Sequence, residues 1–227
     1  MKLPSVFEFA FMPAKPQHSF KPRKQPVQAR SEATVSALFD ASIQVLLAVG
    51  YRRFTTTRVA ERAGVSVGSL YQYFPNRQAL ITSVIERYLE GLRATIEQHC
   101  RDLRGSRLDQ LVRGLVDAVI AAKWEHIEVS RALHEPFADI GGTQLVNASA
   151  VKTAGSIAEV LRSCADASFR DVDRLALLIV ISCSSLLQAA ITDQTGAIGR
   201  EALRAHMRAM VLGYLHEMRV GEQAAAE

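Results

Sequence analysis

Between positions 66 and 73 the sequence reads SVGSLYQY, which brings Ser66, Gly68, Ser69, Tyr71, Gln72 and Tyr73 together on one short stretch. Each is small or carries a hydrogen-bonding group, and Val67 is the one large aliphatic among the outward positions. Hydroxyls and amides of this kind meet phosphate oxygens and base edges in a duplex groove, and a glycine lets the backbone come close. Thr55 and Thr56, just upstream, add two more hydroxyls.

Catalytic chemistry has no comparable cluster. His99, His126, His134, His206 and His216 fall at no metal-ligand spacing, and no nucleophile elbow or phosphate loop occurs. Acidic pairs such as Glu135 and Asp139 read as ordinary surface charges on a helix. Cys100, Cys164 and Cys183 are odd in number and far apart, which predicts reduced thiols rather than disulfides or a zinc site. No enzyme, metal or cofactor is expected.

Charge supports the polyanion reading. The chain carries a net +4 over 227 residues, and the positive charge is concentrated near the N-terminus. Residues 1–30 hold six basic side chains against Glu8, and residues 51–77 hold Arg52, Arg53, Arg58, Arg62 and Arg77 against Glu61. The rest of the chain is net negative. That division suits a DNA-binding module joined to a domain with another task.

The elements that must position these residues are helical. With 48% hydrophobic but only 7% aromatic residues, and long stretches rich in Ala, Leu, Arg and Glu, the composition predicts an all-α fold. Five prolines within residues 1–28 predict a flexible basic arm, residues 1–29. A helix follows over 31–49, ended by Gly50, then short helices over 57–63 and 67–73 capped by Thr55 or Thr56 and by Ser66. Ala60, Gly64 and Leu70 are the scaffold of this helix-turn-helix: a small residue at the crossing, a turn residue tolerant of positive φ, and an apolar anchor.

Downstream, apolar periodicity predicts a long helix over 76–101 and further helices over 108–124, 126–135, 143–164, 171–191 and 200–218. Ser106-x-x-Asp109 reads as a capping box, and Pro136 as the stop of the 126–135 helix. The segment 171–191 is apolar almost all round, but its stretch 175–191 carries Ser182, Ser184, Ser185 and Gln188 and falls short of the ~20 apolar residues of a spanning helix, which favours a buried helix. The last helix places Leu203, Met207, Met210, Val211, Tyr214, Leu215 and Met218 on one face. The expected organisation is therefore a helix-turn-helix domain at 30–76, a larger helical domain at 77–218, and a disordered tail at 219–227. Pro4 and Glu8 interrupt the apolar start and no cleavage site follows, so a cytoplasmic protein without a membrane anchor is expected.

The stretch GYRRFTTTRVAERAGVSVGSLYQYFPNRQAL, residues 50–80, resembles the signature of the tetracycline-repressor (TetR) family of transcriptional regulators. The resemblance covers roughly residues 30–80. It implies that Gly68 permits close approach, that Ser69 and Gln72 meet base edges, and that Thr55 or Thr56, Ser66, Tyr71 and Tyr73 hold phosphates. Arg77 stands where the family more often has lysine, and Val67 where a polar residue is frequent, which favours a thymine-methyl contact there. Packing of the small domain is the alternative role for Tyr71 and Tyr73, and a solvated face for Arg52, Arg53, Arg58 and Arg62.

The resemblance further implies that the larger domain forms a homodimer, for which the last two helices are candidates, and encloses an apolar pocket for an unidentified small-molecule effector. Trp124, His134 and Phe137, near Pro136, are candidate lining residues, with plain core packing the alternative for each. The implied function is a repressor of a palindromic operator released by its effector. A ligand-independent activator or architectural DNA binder stays open beside it.

Overall fold

A computed structural model describes residues 29–193 and 195–220, so the expected arm (residues 1–28) and most of the tail (residues 221–227) lie outside the described residues. The elements are α1 (Ala29–Val49), a single 3-10 turn (Tyr51–Arg53), α2 (Thr56–Ala63), α3 (Val67–Tyr73), α4 (Arg77–Asp102), α5 (Leu108–Glu125), α6 (Ile127–Ala132), α7 (His134–Asp139), α8 (Thr143–Arg162), α9 (Val172–Thr192) and α10 (Arg200–Glu217). Among the described residues the one extended pairing is an isolated bridge between Phe169 and Arg219. The fold is all-α, as the composition predicts.

Two compact units divide the chain. The first comprises the described residues up to Gly91 together with Glu128–Thr143; the second comprises Leu92–Ile127 and the described residues from Gln144 onward. Thus α4 serves both units, and α6 and α7 belong largely with the helix-turn-helix. In the first unit α1 packs on α2 and α2 on α3. Leu38, Ile43, Phe54, Leu70, Phe74 and Leu80 are fully buried there, and Phe39 meets Phe74 edge-to-face with centroids 5.8 Å apart. Aromatic pairs in that arrangement add about 0.5–1.5 kcal/mol beyond the area they bury.

In the second unit α10 packs against α5 and α9 around Leu111, Ile120, Leu161, Ala176, Met207 and Leu215. Val172–Thr192 and 31–49 are long and apolar enough to cross a membrane by length and composition. Each nonetheless contributes to a protein core, through Ala176, Ile179 and Leu187 in α9 and Leu38, Ile43 and Leu46 in α1. The apolar row expected on the last helix splits in two: Leu203, Met207, Val211 and Leu215 are buried, while Met210 and Met218 are exposed.

Two local expectations are corrected. The box at Ser106 does not form: Arg107 occupies the cap position of α5 without a side-chain bond, Leu108 N–H donates to Asp166 Oδ1 at 2.7 Å, and Asp109 pairs with Arg113. A carboxylate brought in by the fold satisfies the orphan amide, so the local acceptors are released. Pro136 does not stop a helix either. It is buried in the first turn of α7, where a missing N–H costs nothing, and the break falls at Leu133 between α6 and α7.

Candidate nucleic-acid interface

The helix-turn-helix scaffold assembles as its residue types require. Ala60 and Leu70 are completely buried. Gly64 takes the left-handed conformation at φ 69°, its N–H donates to Glu61 O, and Val65 N–H reaches Ala60 O at 3.0 Å, which closes the end of α2 and turns the chain. Thr55 Oγ1 accepts from Arg58 N–H at the start of α2. Ser66 Oγ accepts from Ser69 N–H at 3.0 Å at the start of α3. Both caps hold a helix N-terminus in place with a hydroxyl, and such ends favour anions.

Outward from this scaffold, Gly68 and Gln72 are exposed, Ser69 and Val67 are half-buried, and Tyr71 is 41% exposed. The hydroxyls of Ser66 and Ser69 lie 2.8 Å apart. With Ser69 as donor, the Ser66 O–H is left to donate to a phosphate, while Ser69 Oγ can still accept from a base-edge amino group. Of the two candidate threonines, Thr56 is buried, and its Oγ1 sits 3.1 Å from Tyr71 OH. With Thr56 as donor, the Tyr71 proton points outward, so Thr56 acts as support for the tyrosine. Tyr73 is half-buried with its hydroxyl 3.0 Å from Ser31 Oγ, which ties α3 to α1.

Arg77 has internal partners. Its guanidinium stacks 4.1 Å above the Tyr51 ring, lies 5.9 Å from that of Phe54, and donates through Nη2 to Tyr51 O at 2.8 Å. A cation held over two rings and on a backbone carbonyl has its partners inside the protein. The residues that sequence reasoning missed lie beneath it. Tyr51 is buried, and its hydroxyl donates to Asp139 Oδ2 at 2.5 Å. Burial, reinforced by that bond, pushes the Tyr51 phenol up to about 12. Beside it, Arg52 Nε lies 3.4 Å from Glu135, both exposed. Glu135 and Asp139, read from the sequence as surface charges, thus face the turn before α2 from 83 and 88 residues away.

Two other basic side chains have partners within the first unit. Arg53 Nε reaches Val49 O, and Arg62 Nε donates to Gln44 at 2.5 Å. Asp40 in α1 is half-buried; burial raises its carboxyl above the usual range and Arg87 opposes the rise.

The three candidate pocket residues do not converge within one unit. Trp124 belongs to the second unit and packs against its core. His134 and Phe137 belong to the first: His134 is exposed, and the half-buried Phe137 lies against Gly142, where any Cβ would meet the ring at 2.6 Å. Among the described residues no group of three or more His, Cys, Asp or Glu is placed to hold a metal ion.

Comparison with known proteins agrees with this geometry. The family model for bacterial regulatory proteins of the tetR family matches residues 38–84, and that for the tetracyclin repressor-like C-terminal domain matches residues 108–215. An uncharacterized HTH-type transcriptional regulator from Bacillus subtilis is 33% identical over 70 residues, 31% of this chain and 37% of its own. The HTH-type transcriptional repressor KstR of Mycolicibacterium smegmatis is 36% identical over 61 residues, 27% of this chain and 30% of its own. The nucleoid occlusion factor SlmA of Haemophilus ducreyi is 33% identical over 84 residues, 37% of this chain and 41% of its own. The chain spans about a third of the length of the curated relatives it matches.

Solved structures share the fold at low identity. A crystal structure from Mesorhizobium loti, described as of a putative TetR-family regulator, superposes with a TM-score of 0.70 at 17% identity, covering 85% of this chain and 100% of its own. Thermus thermophilus FadR in complex with lauroyl-CoA superposes with a TM-score of 0.57 at 16% identity, covering 85% of this chain and 98% of its own.

Proposed function

The chain belongs to the TetR family of helix-turn-helix transcriptional regulators, and from that premise we propose that it is a homodimeric, cytoplasmic repressor that reads a palindromic operator and releases it on binding a small molecule. The observation that carries the reading is the surface of α3: a rigid scaffold of Ala60, Gly64 and Leu70 supports an outer face of Val67, Gly68, Ser69, Tyr71 and Gln72. In the proposed complex Gln72 and Ser69 meet base edges, Val67 meets a thymine methyl, and Thr55, Ser66 and Tyr71 hold phosphates.

Dimerisation is supported by apolar side chains left uncovered on the last two helices. Leu178 and Ile181 on α9 and Met210 on α10 are 44%, 47% and 36% exposed. A two-fold pair places two copies of α3 about one helical turn apart on DNA. That the releasing effector is a small molecule is supported by the lauroyl-CoA complex of FadR.

The likeness to a nucleoid occlusion factor favours a second reading, a ligand-independent architectural DNA binder. Anisotropy titration of an operator duplex against a random duplex tests the first reading, with Gln72→Ala as the variant. Loss of discrimination with retained non-specific binding is expected. Equal affinity of the parent chain for both duplexes overturns it.

A further inference from the structure

Tyr51 occupies an unusual mechanical position. It begins the 3-10 turn that leads through Phe54 directly into Thr55, the cap of α2, and Gly50 before it turns the chain at φ 75°. One face of its ring is covered by the Arg77 guanidinium at 4.1 Å, its carbonyl is held by the same side chain at 2.8 Å, and its hydroxyl is held by Asp139 at 2.5 Å. Asp139 is the last residue of α7, and only Ile140, Gly141 and Gly142 separate it from α8. The α6–α7 segment is anchored to the same unit a second time, through the buried bond of 2.5 Å between Tyr88 OH and Ser130 Oγ.

We propose that Tyr51 and Asp139 form a joint that makes α7 and the start of α2 move as one body, so that Asp139, although remote in sequence from the helix-turn-helix, is a positioning residue for DNA reading. The proposal rests on the DNA-reading function proposed above. A rigid turn at Tyr51 fixes where Thr55 and the N-terminus of α2 stand relative to α4, because Arg77, which opens α4, grips the same residue. Any displacement of α7 is then delivered at Thr55 rather than absorbed in the turn. The phenol is the donor and the carboxylate the acceptor, so an asparagine at 139 retains an acceptor while an alanine removes it.

The exposed Arg52–Glu135 pair beside the joint supplies an internal comparison, since pairs in that setting contribute little. Hydrogen–deuterium exchange on the full chain, read separately for residues 51–63, 134–140 and 108–125, tests the joint without any ligand. Tyr51→Phe and Asp139→Ala are each expected to speed exchange about three- to tenfold in both of the first two segments, the worth of one hydrogen bond, with α5 unchanged and no further gain on combining them. Asp139→Asn is expected to restore most of the protection, and Glu135→Gln to leave it as in the parent.

The same variants are titrated against duplex DNA selected from a random pool. A matching three- to tenfold loss of affinity for Tyr51→Phe and Asp139→Ala supports the positioning role. Faster exchange confined to 134–140, or an equal rise in α5, overturns the joint as a local contact or a global loss of stability. If the parent chain binds no duplex, the function proposed above fails and the positioning role fails with it, while the exchange data still judge the joint itself.

Discussion

The hydroxyl pair at the base of α3 lends itself to a sharp test. Thr56→Val replaces a hydroxyl by a methyl of nearly the same volume at a site that is 8% exposed, so packing is kept and one hydrogen bond, Thr56 Oγ1 to Tyr71 OH at 3.1 Å, is removed. In the proposed complex Thr56 donates to Tyr71 and Tyr71 donates to a phosphate. Losing the first bond leaves the tyrosine free to rotate and weakens the second. A neutral hydrogen bond contributes about 1 kcal/mol, which is roughly a fivefold loss of affinity.

Fluorescence anisotropy at fixed salt measures this with Thr56→Val, Tyr71→Phe and the double variant. Because Thr56 acts through Tyr71, the double variant is expected to bind no more weakly than Tyr71→Phe alone. The dependence on salt is expected to stay as in the parent, since no cation has been removed. Additive losses, or a change in the salt slope, would refute the relay and assign Thr56 a contact of its own.

Leu70→Ala empties a fully buried position and is expected to cost about 2–5 kcal/mol, a large part of the roughly 5–15 kcal/mol that holds a domain together, read as a lower thermal midpoint with DNA binding lost in parallel. Gly64→Ala is expected to cost about 1–2 kcal/mol in denaturant titration, and all of it conformational, since φ is 69° and nothing lies within 4 Å of the added Cβ. Tyr51 is expected to titrate late in an ultraviolet absorbance titration, near pH 12. Because its folded value lies above the ordinary value of 10.0, the unfolded chain releases that proton first; the stability it contributes is complete below about pH 10 and is lost as pH rises through 12. Tyr51→Phe is expected to abolish that part of the alkaline slope.

Much of this architecture was legible in the residues because it is local. The spacing of apolar residues announces the helices, and Gly64 between Ala60 and Leu70 announces the turn, since a left-handed residue and a small crossing residue are needed just there. The bounds of α3 agree at both ends with the expected 67–73. What escaped is long-range. The capping box at Ser106 was outcompeted by Asp166, 58 residues from the amide it serves. No spacing rule shows that the rings of Tyr51 and Phe54 lie beneath Arg77. Asp139 looked like a solvated charge because no spacing rule links it to a tyrosine 88 residues earlier. Periodicity grouped Met210 with Met207 and Val211 on the last helix, yet it is left 36% exposed, a distinction that depends on where α5 and α9 lie.

Selection of bound sequences from a pool of random duplex DNA tests most directly whether this chain reads DNA as a two-fold regulator. The expected outcome is a single palindromic consensus whose half-sites are centred about 10 base pairs, or a multiple of that, apart, and which is lost when Gln72→Ala is selected in parallel. Recovery of unrelated sequences with no common site, or of a consensus indifferent to Gln72, would contradict it.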